Sequence, residues 1–320
     1  MIQSCADLCT VRKLRSACDI WMGKSAEGWG CELGKALGAE GEGQLAAMRA
    51  LSARALTEAS IEEESSDCYE PTIDPRRNGG GPSSAKPESS LEALAAGRFH
   101  RVPVMLGYTA HDGLGKMELE HTIFEATDVR DRSGLEALMK REFGDAKDEA
   151  LAFYGGGAAA ADDKAEAQAV QKALGAFSDD LWYFAGTRHM ADLLTKAADA
   201  PRVYLYSFGG LPQSKHGNDT KFWRGAVADP LSQSMAAYLG NFARGGDPNG
   251  EGLPTWEAQA PDSGGLMQLG PEIGAREVPE DVRQRHEFLV REYFSRRLLS
   301  ELRRGEENAG IGDAGGEEEQ

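Results

Sequence analysis

The segment Val203–Asn249 restricts the fold of this chain most strongly, because it contains a strand, a polar loop, a helix and a turn in one fixed order. Residues Val203–Phe208 (VYLYSF) are almost all branched or aromatic, which predicts a buried strand. Beyond the loop, apolar residues recur at helical spacing, namely Leu231, Met235, Tyr238 and Phe242. The turn Gly245–Gly250 ends this helix, because glycine allows positive φ and proline cannot continue a helix.

The polar loop after the strand carries His216, followed by Gly217. A histidine in a loop just beyond the end of a parallel strand is well placed to act as the general base of a catalytic triad. The same position also suits an ordinary surface histidine. The position alone therefore leaves both interpretations open, and the residues around it must decide.

Three stretches around His216 share a pattern with a known family: VYLYSF before it, NFARGGDPN at Asn241–Asn249 and LPTW at Leu253–Trp256. With the His-Gly pair they resemble the C-terminal part of the type-B carboxylesterase (cholinesterase-like) family. The resemblance implies a three-layer α/β-hydrolase fold and hydrolysis of carboxylic esters by a Ser-His-Asp/Glu triad, with His216 as general base. It also implies a small-molecule ester as substrate, and no cofactor.

A second apolar strand is predicted over residues 102–108 (VPVMLGY), and the polar turn Thr109–Gly113 follows it. The family places its triad acid in the corresponding turn. The resemblance therefore assigns Asp112 as the catalytic acid, while His111 replaces the acidic residue that usually precedes it. A carboxylate there is placed to hold an imidazole in one tautomer. The alternative is a turn-forming Asp-Gly pair without a catalytic role.

One segment resembles a nucleophile elbow, the Gly-x-Ser-x-Gly turn that exposes a catalytic serine. It is Gly23–Gly28 (GKSAEG), with Ser25 at its centre. The elbow needs a small residue where Glu27 stands, because its tight turn brings a helix against a strand. No clear strand precedes the segment. These features favour Ser25 as a helix N-cap, and Ser25 as the nucleophile is the alternative.

The register set by Met1–Ser4, which resembles a strand end of the family, places the start of the sequence just after the nucleophile segment. We therefore expect an α/β-hydrolase fold truncated at the N-terminus, with the nucleophile-bearing strands absent. Its parallel sheet would retain strands near 102–108, 203–208 and 266–269. Such a chain would keep the histidine and the acid but would be inactive alone. A non-catalytic binding or adhesion module of the same family is the alternative.

Composition excludes several classes of function. The net charge of −17 argues against nucleic-acid binding, and no apolar run reaches the roughly 18 residues of a membrane span. The first sixteen residues lack the pattern of a signal peptide, although members of the family are often secreted, so the compartment stays open. The cysteine spacing predicts neither a disulfide framework nor a zinc site; the cysteines are Cys5, Cys9, Cys18, Cys31 and Cys68.

The resemblance extends over residues 1–304 as one C-terminal portion of a carboxylesterase domain. Within it, residues 61–90 are rich in Glu, Ser, Gly and Pro, which predicts a mobile surface loop. Residues 305–320 contain six acidic residues and no basic one, which predicts a disordered acidic tail.

Several helices are predicted along the chain. One covers Leu45–Leu56, which resembles a helical stretch of the family, and the last is a long amphipathic helix over Pro279–Arg304. The long helix is expected to pack against the domain. Association with another chain through residues 280–304 is the alternative.

Overall fold

The computed structural model describes most of the chain, in the ranges 2–3, 26–41, 43–62, 90–111, 129, 131–155, 162–212, 214–261 and 263–296. Two compact units result, one formed by residues 10–89 and the other by residues 1–9 and 90–320. The smaller unit contains three described helices: α1 (Ala26–Ala36), α2 (Gln44–Arg49) and α3 (Ala53–Glu62).

The single helix predicted over Leu45–Leu56 is wrong, because the structure divides this stretch between α2 and α3. The side chain of Ser52 accepts a hydrogen bond from the backbone N–H of Ala55 at 3.1 Å. A serine that satisfies an N–H of the first turn in this way starts a new helix rather than continuing an old one. Of the cysteines, Cys31 on α1 is a free, exposed thiol, and the others lie outside the described residues.

The larger unit is built on a five-stranded sheet in the order β1-β2-β3-β4-β5. The first four strands are parallel and β5 runs antiparallel to β4. Their bounds are β1, Ile2–Gln3; β2, Val104–Thr109; β3, Val203–Phe208; β4, Gly265–Leu269; and β5, Gly274–Glu277. The three predicted strands are present. The sequence did not predict β5, so the sheet is mixed rather than wholly parallel.

Helices surround this sheet. They are α4 (Ser90–Ala95), α5 (Arg132–Phe143), α6 (Lys147–Tyr154), α7 (Asp163–Asp179), α8 (Ala185–Lys196), α9 (Thr220–Trp223), α10 (Pro230–Gly245) and α11 (Glu280–Leu289). A 3-10 turn at Gly144–Ala146 joins α5 to α6. A π-helical segment, Asp180–Phe184, joins α7 to α8, and another, Val290–Phe294, extends α11. None of the described helices combines the length and the apolar character needed to cross a bilayer.

The central strand β3 is buried at all six positions, as expected for a strand covered on both faces. On one face its aromatic residues pack in a cluster with side chains of α9 and α10: Tyr204, Tyr206, Phe208, Phe222, Trp223, Leu231, Met235 and Tyr238. Side chains alternate along a strand, and on the other face α8 packs against β2 and β3. The sheet therefore forms the middle of three layers.

The family-like signature NFARGGDPN has a structural role. Gly246 ends α10 in the left-handed conformation, with φ of +68°. Asn249 then binds the backbone of Trp256 twice, accepting from its N–H at 2.7 Å and donating to its carbonyl at 3.0 Å. The Trp256 ring is buried against Tyr238 at a centroid distance of 5.3 Å. The signature thus fixes the chain that leaves α10 against the aromatic layer.

The long helix predicted over Pro279–Arg304 is present as α11 and its π-helical extension, up to the limit of the described residues at 296. Its apolar side is buried, namely Phe288, Leu289, Tyr293 and Phe294. This part of the helix therefore packs against its own unit, as expected. Association through residues 280–304 stays a prediction.

Candidate active site

The loops after β2 and β3 lie side by side at one edge of the sheet. The two strands pair in register from Val104 with Val203 to Thr109 with Phe208, so both carboxyl ends reach the same edge. Beyond them, His111 and Lys215 form an isolated parallel bridge. The N–H of His111 donates to the carbonyl of Ser214 at 3.1 Å. The backbone therefore holds the two loops together just past the strands.

His216 lies at the tip of a tight turn in the second loop and is exposed. Gly217 has a φ of +74°, a conformation that residues with a Cβ adopt only at a cost. Before the turn, the loop closes on itself, since the Ser214 side chain accepts from the N–H of Leu211 at 3.2 Å. After it, the N–H of Asn218 donates to the carbonyl of Lys215 at 3.0 Å. These bonds fix the backbone on both sides of His216.

A buried carboxylate anchors the far end of this loop. Asp219 has no solvent exposure, and its Oδ2 accepts from the hydroxyl of Tyr206 at 3.1 Å and from Nε1 of Trp223 at 3.3 Å. The Tyr206 ring lies over Gly107 of β2, where a Cβ would come within 2.4 Å of it. Glycine at this strand position therefore lets Tyr206 link the sheet to the loop that carries His216.

An aromatic side chain from the helical layer touches His216. The ring of Tyr183 lies 5.2 Å from the imidazole, at an interplanar angle of 46°. Tyr183 belongs to the π-helical segment that joins α7 to α8, and its neighbour Phe184 packs edge-on against Tyr108 of β2 at 5.3 Å. Single π-helical turns are often found at functional sites. Here the turn brings the helical layer to the strand edge beside His216.

The structure describes His216 and its loop, but Asp112 and Ser25 both lie outside the described residues. The roles assigned to those two side chains stay predictions. The sequence reasoning did not single out Asp219 or Tyr183. Asp219 could have been found, since it occupies the acidic position of a His-Gly-x-acid loop. No sequence signal identifies Tyr183, because its place depends on a local change in helical pitch.

Comparison with known proteins gives consistent results. A model of the carboxylesterase family matches residues 14–286. Carboxylesterase 5A from the dog is 43% identical over 88 residues, which cover 27% of this chain and 15% of that protein. Carboxylesterase 5A from the cat is 31% identical over 112 residues, covering 27% of this chain and 20% of the relative.

The solved structures also include a similar fold. A PNB esterase superposes with a TM-score of 0.55 at 19% sequence identity, covering 79% of this chain and 52% of that one. At this identity the likeness concerns the fold alone. The chain spans about half the length of the PNB esterase, and its alignments cover a fifth or less of the two carboxylesterases.

Proposed function

Because this chain belongs to the carboxylesterase family and has the α/β-hydrolase fold, we propose that it supplies two members of a Ser-His-acid triad that hydrolyses carboxylic esters. His216 is the general base and Asp112 is the acid that orients it. The substrate is a small-molecule ester, and no cofactor takes part.

The observation that carries this proposal is the bridge between His111 and Lys215. Asp112 directly follows the first of these residues and His216 directly follows the second. Two loops joined by backbone pairing thus each carry one proposed partner, from the carboxyl ends of adjacent parallel strands. This is the edge of an open α/β sheet at which ligands bind.

In the proposed reaction, His216 transfers one proton in the acylation step and one in the deacylation step. The Asp112 carboxylate accepts the Nδ1–H of His216, so that Nε2 is the nitrogen that takes the proton of a serine hydroxyl. The serine oxygen attacks the ester carbonyl, and the alcohol leaves with that proton. Water then hydrolyses the acyl-enzyme in the same way and releases the acid.

The nucleophile does not lie within these residues in our proposal. The sequence contains no strict Gly-x-Ser-x-Gly, and the nearest candidate, around Ser25, has Glu27 at the second glycine position. Without a serine no acyl-enzyme forms, and without preorganised N–H donors the tetrahedral oxyanion is not stabilised. This chain alone is therefore inactive. The absence of a strict elbow serine from these residues also favours a second candidate, a non-catalytic binding module of the same family.

Labelling with a fluorophosphonate probe, followed by peptide mass mapping, tests this proposal. We expect no stoichiometric adduct on Ser25 or on any other serine of the folded 320-residue chain. We expect a longer product of the same gene that includes an elbow serine to be labelled there and to hydrolyse p-nitrophenyl acetate. His216→Gln in that product should slow labelling at least about a hundredfold, because it removes the general base.

His100→Gln is the matched control, since His100 is exposed and lies before β2. An adduct on Ser25 that His216→Gln abolishes would show that the nucleophile is present and would overturn the inactive assignment. Labelling of an elbow serine that is insensitive to His216→Gln would overturn the role of His216. A longer product that is neither labelled nor active would favour the binding module.

A further inference from the structure

A cavity of about 730 Å³ lies between α8 and α11, among residues that the proposed triad does not use. Its volume falls in the range typical of small-molecule sites. Its apolar walls are Phe184, Leu193, Val278 and Val290. Two histidines, His189 and His286, line it together with Asp192. In the part of the chain that the structure describes, no group of three or more His, Cys, Asp or Glu side chains is arranged to hold a metal.

His189 is the cavity residue with unused hydrogen-bonding capacity. Its ring stacks flat on Phe294 of the α11 extension, with centroids 5.1 Å apart and an interplanar angle of 14°. Burial lowers the pKa of His189 to about 4, and the neighbouring His286 adds to this effect. The imidazole is therefore neutral at pH 7 and offers one donor and one acceptor. Among the described residues, neither ring nitrogen has a hydrogen-bond partner.

His286 is the second histidine that lines the cavity. It is 9% exposed, and its Nε2 lies 3.2 Å from a carboxylate oxygen of Asp192. Because a carboxylate only accepts, Nε2 carries a proton and donates it to Asp192. Within the described residues Nδ1 has no partner. Buried polar groups normally find one, so this wall contains a second ring nitrogen whose hydrogen-bonding capacity is unmet.

Most of the charged residues that line the cavity already have ion-pair partners. Arg188 pairs with Asp192 at 3.1 Å, and Arg291 pairs with Glu149 at 2.6 Å. Arg283 forms an ion pair with Glu280. A full charge on a ligand would therefore compete with existing pairs. A neutral ligand would leave these pairs intact and would meet the apolar walls and the imidazole of His189, although Lys196 and Glu287 also line the cavity.

We propose that this cavity binds neutral, largely apolar compounds that carry a hydroxyl group, with His189 as the residue that recognises the hydroxyl. A hydroxyl matches a neutral imidazole because each group offers one donor and accepts in return. The apolar part of the ligand lies against the four apolar wall residues. The site is separate from His216, so it does not depend on whether this chain hydrolyses esters.

The test uses the 320-residue chain labelled with 15N at histidine, titrated with benzyl alcohol and, in parallel, with toluene. The His189 resonance is identified by its contact with Phe294 and by its loss in His189→Phe. We expect benzyl alcohol to shift the His189 nitrogens saturably and to bind about tenfold more tightly than toluene, the effect of one net hydrogen bond.

His189→Phe keeps a ring against Phe294 but removes both nitrogens. We expect it to weaken benzyl alcohol binding about tenfold and to leave toluene binding unchanged. His100→Phe, at an exposed position, is the matched control and should change neither. If His189→Phe does not fold, the two titrations of the unchanged protein still decide.

Three results would overturn the proposal. Equal affinity for benzyl alcohol and toluene would mean that the cavity is merely apolar and that His189 recognises nothing. Tighter binding of sodium benzoate than of benzyl alcohol would make it an anion site. The absence of any shift at His189 up to the solubility limit of both compounds would mean that it is no ligand site.

Discussion

His216 and His189 lie in opposite kinds of environment, although both belong to the larger unit. His216 is exposed at the tip of a loop beyond β3, where backbone bonds hold the turn. His189 sits within the helical layer, stacked on an aromatic ring. A residue that must reach a substrate needs a rigid backbone and an open side chain. A residue that packs in a helix pair is held by its neighbours, and changes there affect stability first.

The largest expected effect is a loss of stability in the helical layer that contains His189. Phe288 of α11 is 1% exposed and lies 4.9 Å from the ring of Phe143. Phe288→Ala removes a buried ring and leaves a cavity, so we expect it to lower the free energy of unfolding by about 3–5 kcal/mol. Urea denaturation followed by circular dichroism measures this. A loss below about 1 kcal/mol would show that α11 is not part of the core.

The second-largest expected effect is a dependence of stability on pH, because the pKa of His189 falls from an ordinary 6.5 to about 4 on folding. Between these values the unfolded chain binds more protons than the folded one, so stability falls as the pH is lowered from 6.5 to 4. The full change is on the order of 3 kcal/mol. Unfolding free energies measured in steps from pH 7 to pH 4 report it.

His189→Phe provides the comparison for this pH series, since it cannot bind a proton. We expect the unfolding free energy of the unchanged protein minus that of His189→Phe to be constant above pH 6.5. Below pH 6.5 this difference should become steadily less positive or more negative, because only the unchanged protein loses stability there. Burial alone would raise the pKa of Asp192, but the hydrogen bond from His286 and the charge of Arg188 lower it, so its stabilising contribution is lost mainly below its ordinary pKa, 3.8. Parallel curves for the two proteins down to pH 4 would contradict a neutral, partly buried His189.

A smaller effect is expected where the His216 loop meets the core. Asp219→Ala removes the buried oxygen that accepts from the Tyr206 hydroxyl and from Trp223 Nε1. We expect a loss of about 2 kcal/mol in unfolding free energy. Hydrogen exchange of the His111 amide, which bonds to Ser214, should also become faster. Glu251→Ala, at an exposed position, is the control. Unchanged exchange in Asp219→Ala would mean that this carboxylate does not hold the loop.

The smallest effect is expected at His216 itself. Its side chain is exposed, so His216→Gln should change the unfolding free energy by less than about 0.5 kcal/mol. The same urea experiment measures it. A loss above about 1 kcal/mol would place His216 among the packed residues and remove the contrast with His189.

The positions of the buried strands were predictable, because a buried strand leaves a strong local signal in the sequence. Val203–Phe208 was predicted with its observed bounds. The strand predicted from residue 102 begins two residues later, at Val104, since Pro103 has no N–H to give to a ladder. The antiparallel strand Gly274–Glu277 was missed, because only one of its four residues is even partly buried and it shows no apolar alternation.

The sequence by itself determined the family, the strand that leads to His216 and the place of His216 in a loop, because residue type and spacing act locally along the chain. The tertiary structure alone decided which side chains meet from distant segments. His286 reaches Asp192 across 94 residues, and Arg285 reaches Asp180 across 105. Such pairs depend on how two helices pack and on where a π-helical turn rotates one of them. No sequence pattern within either segment predicts this geometry.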